Sequence, residues 1–313
     1  MHFIGLDLGG TKLASALMDG DGTLIRQETT PLEDRKGEEV SRLIISQLNH
    51  LRSERPEIKA LGVSVPGIYH PDTGRVWAPN IPGWDDYPLF DELKASLDGT
   101  GIKVAIDSDR ACYILGEVWK GVATECRNAV FLAVGTGIGA GILLDGKIAR
   151  GSHDIAGAVG WMSLMQPFRQ DYSKYGCFEY HASGDGLARM YREYAQEAGE
   201  KPHPGLTGAG DRITSRDVFE AYDRGDPVAR RVISESIELW GAAAANIISL
   251  LNPEKVIFGG GVFGPATRFL DDIRKAAGKW SQPISFGKAS IEVSRLEGKA
   301  GLYGTGKLAQ MAL

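Results

Sequence analysis

Apolar residues alternate with small or polar ones in short runs along the chain: Phe3 to Leu8, Leu13 to Met18, Ala60 to Val65, Lys103 to Ile106, Ala129 to Val134, Gly139 to Leu144, Lys255 to Phe258 and Ser290 to Val293. Runs of this length, bounded by Gly, Asp or Asn, predict β-strands. Between them the apolar spacing becomes helical, predicting helices at Gly37 to Leu51 and Ile233 to Leu251. In the second of these, Ile237, Trp240, Ala244, Ile248 and Leu251 share one face, and Asn252-Pro253 supplies the stop. Strands and helices alternating in this way predict an α/β protein.

Two strand pairs are joined by glycine-rich turns. "IGLDLGGTKLASALMD" reads as strand, Gly9-Gly10 turn and returning strand, with a turn that calls for positive φ. A tip without Cβ atoms lets backbone N–H groups approach an anion, and Asp7 at the strand end could hold a divalent cation or its waters. An ordinary Gly-Gly hairpin explains the same residues. The pattern returns in "NAVFLAVGTGIGAGILLDGK", which closes on Asp145-Gly146, and suggests two related halves. A third cluster, Gly259-Gly260-Gly261, ends an apolar strand, where ligands gather in α/β sheets. Three such clusters favour a nucleotide site over loose turns.

Composition narrows the class of ligand. The chain has 313 residues, 43% of them hydrophobic and 24% charged, enough for two domains. A net charge of -5 lacks the basic footprint of proteins that bind nucleic acid or anionic membranes. No run approaches a membrane span and "MHFIGLD" has no leader character, so a cytoplasmic protein is expected. Cys112, Cys126 and Cys177 are scattered and odd in number, which argues against a disulfide framework.

Asp7-Leu8-Gly9-Gly10-Thr11-Lys12, Gly135-Thr136-Gly137-Ile138-Gly139-Ala140-Gly141 and Gly259-Gly260-Gly261 resemble, in this order, the phosphate-1, phosphate-2 and adenosine motifs of the actin-like ATPase superfamily. "SVPGIYHPDTGRV", "APNIPGW", "DSDRACYILGEVWKG", "GSHDIAGAVGW" and "GCFEYHASGDGLAR" then follow the order and spacing of the ROK family of sugar kinases and repressors. The resemblance covers essentially the whole chain. It implies an α/β, two-domain actin-like ATPase (ribonuclease H-like) fold with a central cleft. The expected domains are 1–117, completed by a C-terminal helix at 299–313, and 118–298. It further implies ATP and Mg2+ as cofactors and a carbohydrate as substrate, in a chain that is often a dimer. Family repressors carry a helix-turn-helix before the first phosphate motif; only Met1 and His2 precede it here, so DNA binding is not expected.

The implied phosphate and adenosine contacts are Asp7, Gly9, Gly10, Thr11, Lys12, Gly135, Thr136, Gly137, Gly139, Gly259, Gly260 and Gly261, with Asp7 reaching Mg2+ through water. Phosphoryl transfer to an alcohol needs a carboxylate that takes the hydroxyl proton. "AIDSDRACYILGE" offers Asp107 and Asp109; the family's Asn-Asp pair falls on Ser108-Asp109, with Leu115 to Glu117 setting the register, so Asp109 is the expected base. Asp109 is equally suited to capping the helix that begins near Arg110.

Several positions depart from the family. Where sugar-phosphorylating members read Gly-Glu-Ile-Gly-His, this chain has Gly157-Ala158-Val159-Gly160-Trp161. The zinc pattern Cys-x-Cys-Gly-x-x-Gly-Cys falls on Gln170 to Cys177, where only Gly176-Cys177 remains; one thiolate does not make a structural zinc site, so none is expected. Trp161 is expected to pack on Phe168, Tyr172 or Tyr175 in the metal's stead, or to stack on a sugar face. Ala158 and Ser108 remove hydrogen-bond partners from the sugar pocket, while Gly67, Asn80 and Glu179 keep their places, Glu179 being otherwise a surface residue of a helix after Cys177. The preferred acceptor is therefore expected to be a sugar or polyol other than plain glucose. A sugar-responsive regulatory protein with weak or no kinase activity is the alternative. The Trp240 face is open to two readings, a dimer surface or a buried core.

Overall fold

The computed structural model describes residues 1–55, 57–199 and 213–313. Its strands are β1 (His2–Leu8), β2 (Lys12–Asp19), β3 (Leu24–Pro31), β4 (Ile58–Val65), β5 (Ile68–His70), β6 (Arg75–Trp77), β7 (Lys103–Ser108), β8 (Ala129–Val134), β9 (Ile138–Leu144), β10 (Lys147–Ile148), β11 (Lys255–Gly259) and β12 (Ser290–Val293). Two five-stranded sheets run β3-β2-β1-β4-β7 and β10-β9-β8-β11-β12, and β5-β6 is a small ribbon. In the first sheet β1, β4 and β7 are parallel neighbours; in the second, β8, β11 and β12 are. The internal similarity read from the two glycine turns thus extends to sheet order.

The chain divides into two units: Met1–Cys126, Gly141–Ala156 and Ser294–Leu313 form one, Arg127–Ala140 and Gly157–Val293 the other. Residues 118–126, 141–156 and 294–298, which the family resemblance put in the second domain, sit in the first. Local bonding explains this: buried Glu117 accepts the Val122 N–H at 2.9 Å and the Ser294 hydroxyl, and Gly141 lies directly against the Arg110 carbonyl.

In the first unit, β1 is buried on both faces, which is why its apolar pattern is nearly continuous. Ile4, Leu6 and Leu8 point to one face and join Val40, Ile44 and Leu48 of the helix Glu38–Glu54 in a core cluster. Phe3, Gly5 and Asp7 have the other parity. They meet Ala309, Thr305 and Gly301 of the C-terminal helix Ala300–Met311. Four helical residues rise about 6 Å and two strand residues about 6.6 Å, so the two spacings match along the interface. A Cβ on Gly5 or Gly62 would overlap Thr305, and one on Gly304 would overlap the Cys112 carbonyl in the helix Asp109–Lys120. Small residues therefore let this helix lie directly on the sheet. The edge strand β3, rich in polar residues and half exposed, has no apolar run and was not legible from periodicity.

In the second unit the long helix is Pro227–Leu251, starting before the predicted Ile233 because Asp226 caps Ala229 N–H at 2.8 Å and Pro227 suits the first turn. It ends at Asn252 with φ of 46°, a left-handed cap. Trp240 is fully buried, donates from Nε1 to the Ala182 carbonyl at 3.0 Å and meets Phe263 edge-on. Of the two readings its face allowed, the core is the one observed. Among the described residues, no helix is long and apolar enough to cross a membrane.

Candidate active site

The first unit carries Asp7, Gly9, Gly10, Thr11, Lys12, Gly67, Asn80, Ser108 and Asp109, and the second carries Ala158, Trp161 and Glu179 with the other glycine clusters. At the β1–β2 tip, Gly9 N–H donates to the Lys12 carbonyl at 2.9 Å, closing the turn. Neither Gly9 nor Gly10 has positive φ, contrary to expectation. What glycine supplies there is space: a Cβ on Gly10 would stand 3.4 Å from Asn80 Cβ, so the tip and Asn80 are neighbours. Gly10, Thr11 and Lys12 are exposed.

Asp7 sits at the end of β1, where Gly301 leaves no room for a Cβ beside its carboxylate. Burial raises its pKa, while the Ser64 hydroxyl and the Lys12 ammonium favour the charged form. Ser64 is its register partner on β4, fully buried with its hydroxyl beside this carboxylate. A carboxylate beside a buried hydroxyl fits a hydrated divalent cation, to which both oxygens offer acceptors.

The two Asp residues after β7 are set apart by their partners. Asp107 is buried and paired with Arg150, and accepts the Ser108 N–H at 2.8 Å. Arg150 lies 43 residues further along, a distance over which local pattern says nothing. Asp109 is half-buried and forms no ion pair among the described residues. Its pKa is pushed up to about 6, first by desolvation and then by the nearby Asp7 charge, with the Arg110 guanidinium, the Arg110 N–H and the Tyr113 hydroxyl opposing. Asp109 opens the helix Asp109–Lys120 but does not cap it. The cap is Ser108, whose hydroxyl accepts the Ala111 N–H at 3.3 Å. Gly67, which has no room for a Cβ beside the Trp77 carbonyl, offers its own carbonyl to Arg110 at 3.5 Å. Asp7, Gly67, Ser108 and Asp109 thus fall in one neighbourhood with Arg110 and Tyr113, two residues that the motifs did not single out, while Asn80 stands beside Gly10. Tyr113, four residues after Asp109, was findable from helical spacing.

The second unit holds the other hairpin. Gly135 N–H closes the β8–β9 tip onto the Gly137 carbonyl at 2.9 Å, and Gly184 N–H donates to the Gly135 carbonyl at 2.7 Å. Glu179 turns its carboxylate onto this tip and accepts the Ile138 N–H at 2.7 Å. Desolvation raises its pKa, and the Ile138 N–H opposes. A Cβ on Gly137 would come 2.7 Å from Glu179 Oε2, and one on Gly160 3.1 Å from it. Glu179 is therefore not a free surface residue of its helix, Cys177–Ala182. The end of β11 joins the same neighbourhood, because Gly260, with φ of 89°, lies against the Val134 carbonyl, while Gly259 packs on the Phe131 ring. Thr136 and Gly139 belong to the same hairpin. Gly261 has open space where a Cβ would stand.

Ala158 is half-buried and precedes the short 3-10 turn Val159–Trp161. Trp161 is not covered by aromatics as expected: it is 57% exposed and lines a cavity of about 190 Å³ with Phe168, Tyr172 and Cys177. The aromatic cluster forms without it. Tyr172 is buried, shares a 2.7 Å hydrogen bond with His181 Nε2, and meets Phe168, Tyr180 and His181 edge-on. A polar hydroxyl needs a partner when buried, and His181 provides it. Cys177 is a free, buried thiol.

Two sheets of matching order, each with a glycine hairpin at its phosphate-type turn, define the actin-like ATPase class of fold. The ROK family model matches residues 3–312, and the chain belongs to the ROK family. It is 30% identical to a glucokinase of Halalkalibacterium halodurans, over 98% of this chain and 94% of that one. It is also 30% identical to a xylose repressor of Caldicellulosiruptor bescii, over 96% of this chain and 76% of the repressor. A ROK family glucokinase from Streptomyces griseus, solved with glucose and AMPPNP, superposes with a TM-score of 0.80 at 29% identity, over 99% of this chain and 100% of that one.

Proposed function

We propose that this protein is an ATP- and Mg2+-dependent carbohydrate kinase that transfers the γ-phosphate to a hydroxyl of a sugar or sugar-like acceptor other than plain glucose. The observation that carries the reading is Asp109: a half-buried carboxylate with no ion pair among the described residues, on the first turn of a helix, with a pKa pushed up to about 6. A base is most effective when its pKa lies near the working pH. The sugar-kinase relatives support the reaction class, and the glucokinase complexed with glucose and AMPPNP supports ATP as donor.

In this reading Asp109 takes the proton of the acceptor hydroxyl as that oxygen bonds to the γ-phosphorus and the bond from phosphorus to the ADP oxygen breaks. Lys12 and the backbone of Gly9, Gly10 and Thr11 hold phosphate in the first unit; Gly135 to Gly137 and Gly139 do so in the second, with Gly259 to Gly261 beside the adenosine. Asp7 would hold Mg2+ through water, and the bound ion would neutralise developing phosphate charge. The protein works as a cytoplasmic homodimer and needs no zinc.

The acceptor is altered near its anomeric side: an amino sugar, a glycoside, a rare hexose or an inositol. Support comes from Ala158, which offers a methyl group, and from Ser108, whose hydroxyl is committed to the helix cap. A substrate hydroxyl without its partner is bound poorly. The repressor among the relatives favours a second reading, a sugar-responsive protein without turnover.

A coupled ADP-release assay with Mg-ATP across hexoses, amino sugars, glycosides and cyclitols separates the two. Turnover on one acceptor, reduced by about 10²- to 10⁴-fold in Asp109→Asn, is the expected outcome. Glucose phosphorylated far better than all others would remove the acceptor assignment, and binding without turnover of any compound would establish the regulatory reading.

A further inference from the structure

Asp109 is oriented by its own helix. The Arg110 N–H donates to Oδ1 at 2.8 Å, and the Tyr113 hydroxyl, one turn along, donates to the same carboxylate. Residues four apart on a helix share a face, so the phenol needs no long-range folding to reach the acid. Ser108 offers no such help, because its oxygen caps Ala111.

The other groups acting on this carboxylate come from two elements. From the helix, the Arg110 guanidinium favours the ionised form, and the buried Cys112 thiol stays neutral because burial pushes its pKa up. From β1, Asp7 opposes ionisation, itself moderated by Lys12. Asp107 is committed to Arg150. Burial and Asp109 both hold the Tyr113 phenol well above its ordinary pKa, so it remains a donor throughout the working range.

We propose that Tyr113 is a positioning residue for phosphoryl transfer, its O–H fixing the Asp109 carboxylate in one orientation. The inference rests on Asp109 being the base. A carboxylate has about four lone-pair sites. Tyr113 and the Arg110 N–H occupy two and leave the rest for the acceptor hydroxyl. The hydrogen bond favours the charged form, so its removal raises the pKa of the base and moves its ionisation to higher pH.

The test is the pH profile of kcat/KM for Tyr113→Phe, measured by ADP release with the best acceptor, beside wild type and Asp109→Asn. The acidic limb moves up by about half a unit to one unit, giving a loss of about two- to fivefold at pH 6 and less than about twofold at pH 8. Replacing Tyr113 by 3-fluorotyrosine, a stronger donor of nearly the same shape, moves the limb the other way and serves if the Phe variant does not fold. A loss equal at every pH, or a limb that stays in place in both variants, overturns the role of Tyr113 alone. Undiminished turnover in Asp109→Asn overturns Asp109 as base, and the inference with it.

Discussion

The two glycine hairpins are close relatives in sequence and differ in what stands behind them. The β1–β2 tip is exposed, and its support comes from below, where the C-terminal helix lies against Gly5, Asp7 and Gly62 of the sheet. The β8–β9 tip is held at its own backbone, by the Glu179 carboxylate on Ile138 N–H and by Gly184 N–H on the Gly135 carbonyl. One turn is carried by its strands and the other by a side chain aimed at it. Similar local sequence therefore produces similar turns, but rigidity is supplied by whatever the rest of the chain brings alongside.

The largest effect is expected beneath the first hairpin. Gly62→Ala drives a methyl into the Thr305 carbonyl, backbone against backbone, and should cost about 3 kcal/mol or more in urea unfolding. A near-neutral result would mean that the C-terminal helix is not the support argued for it. Next comes a pair at the tips themselves. Gly137→Ala should lose about 1–3 kcal/mol, because its Cβ meets Glu179 Oε2 at 2.7 Å, whereas the nearest atom to a Cβ on Gly9 is the Lys12 carbonyl at 3.4 Å, and Gly9→Ala should stay within about 0.5 kcal/mol. Equal costs would erase the distinction between the tips. The smallest and sharpest effect concerns Glu179. Glu179→Ala leaves the Ile138 N–H without its acceptor, at about 1–2 kcal/mol, while Glu179→Gln keeps an acceptor oxygen and should recover most of that loss in the same unfolding measurement.

The same contrast explains what could be read in advance. The eight strand runs and the two helices recognised from periodicity are all present, because alternation and helical spacing record burial directly. The glycine clusters marked the tips. The edge strand β3 was missed because an exposed, polar strand carries no apolar run, and positive φ was wrongly required at Gly9-Gly10 because space, rather than backbone conformation, selects glycine there. Of the two places open to Trp161, packing on Phe168, Tyr172 or Tyr175 or stacking on a sugar face, the first is not filled: Trp161 is exposed, and Tyr172 pairs with His181 instead.

In the first unit, Asp107 and Asp109 share strand parity, and family register alone preferred Asp109. Packing separates them: Arg150 arrives from a distant segment to neutralise Asp107, while Asp109 forms no ion pair among the described residues and is raised by burial and by Asp7. Covalent order along the chain was enough to specify eight apolar strands, two helices, the glycine turns and the positions of the candidate chemical groups, since these depend on neighbours within a few residues. Which carboxylate is neutralised, which hairpin is braced and where the aromatic rings lie depended on segments far apart in sequence meeting in three dimensions. Charge and close packing act through space, and a linear pattern contains no measure of that distance.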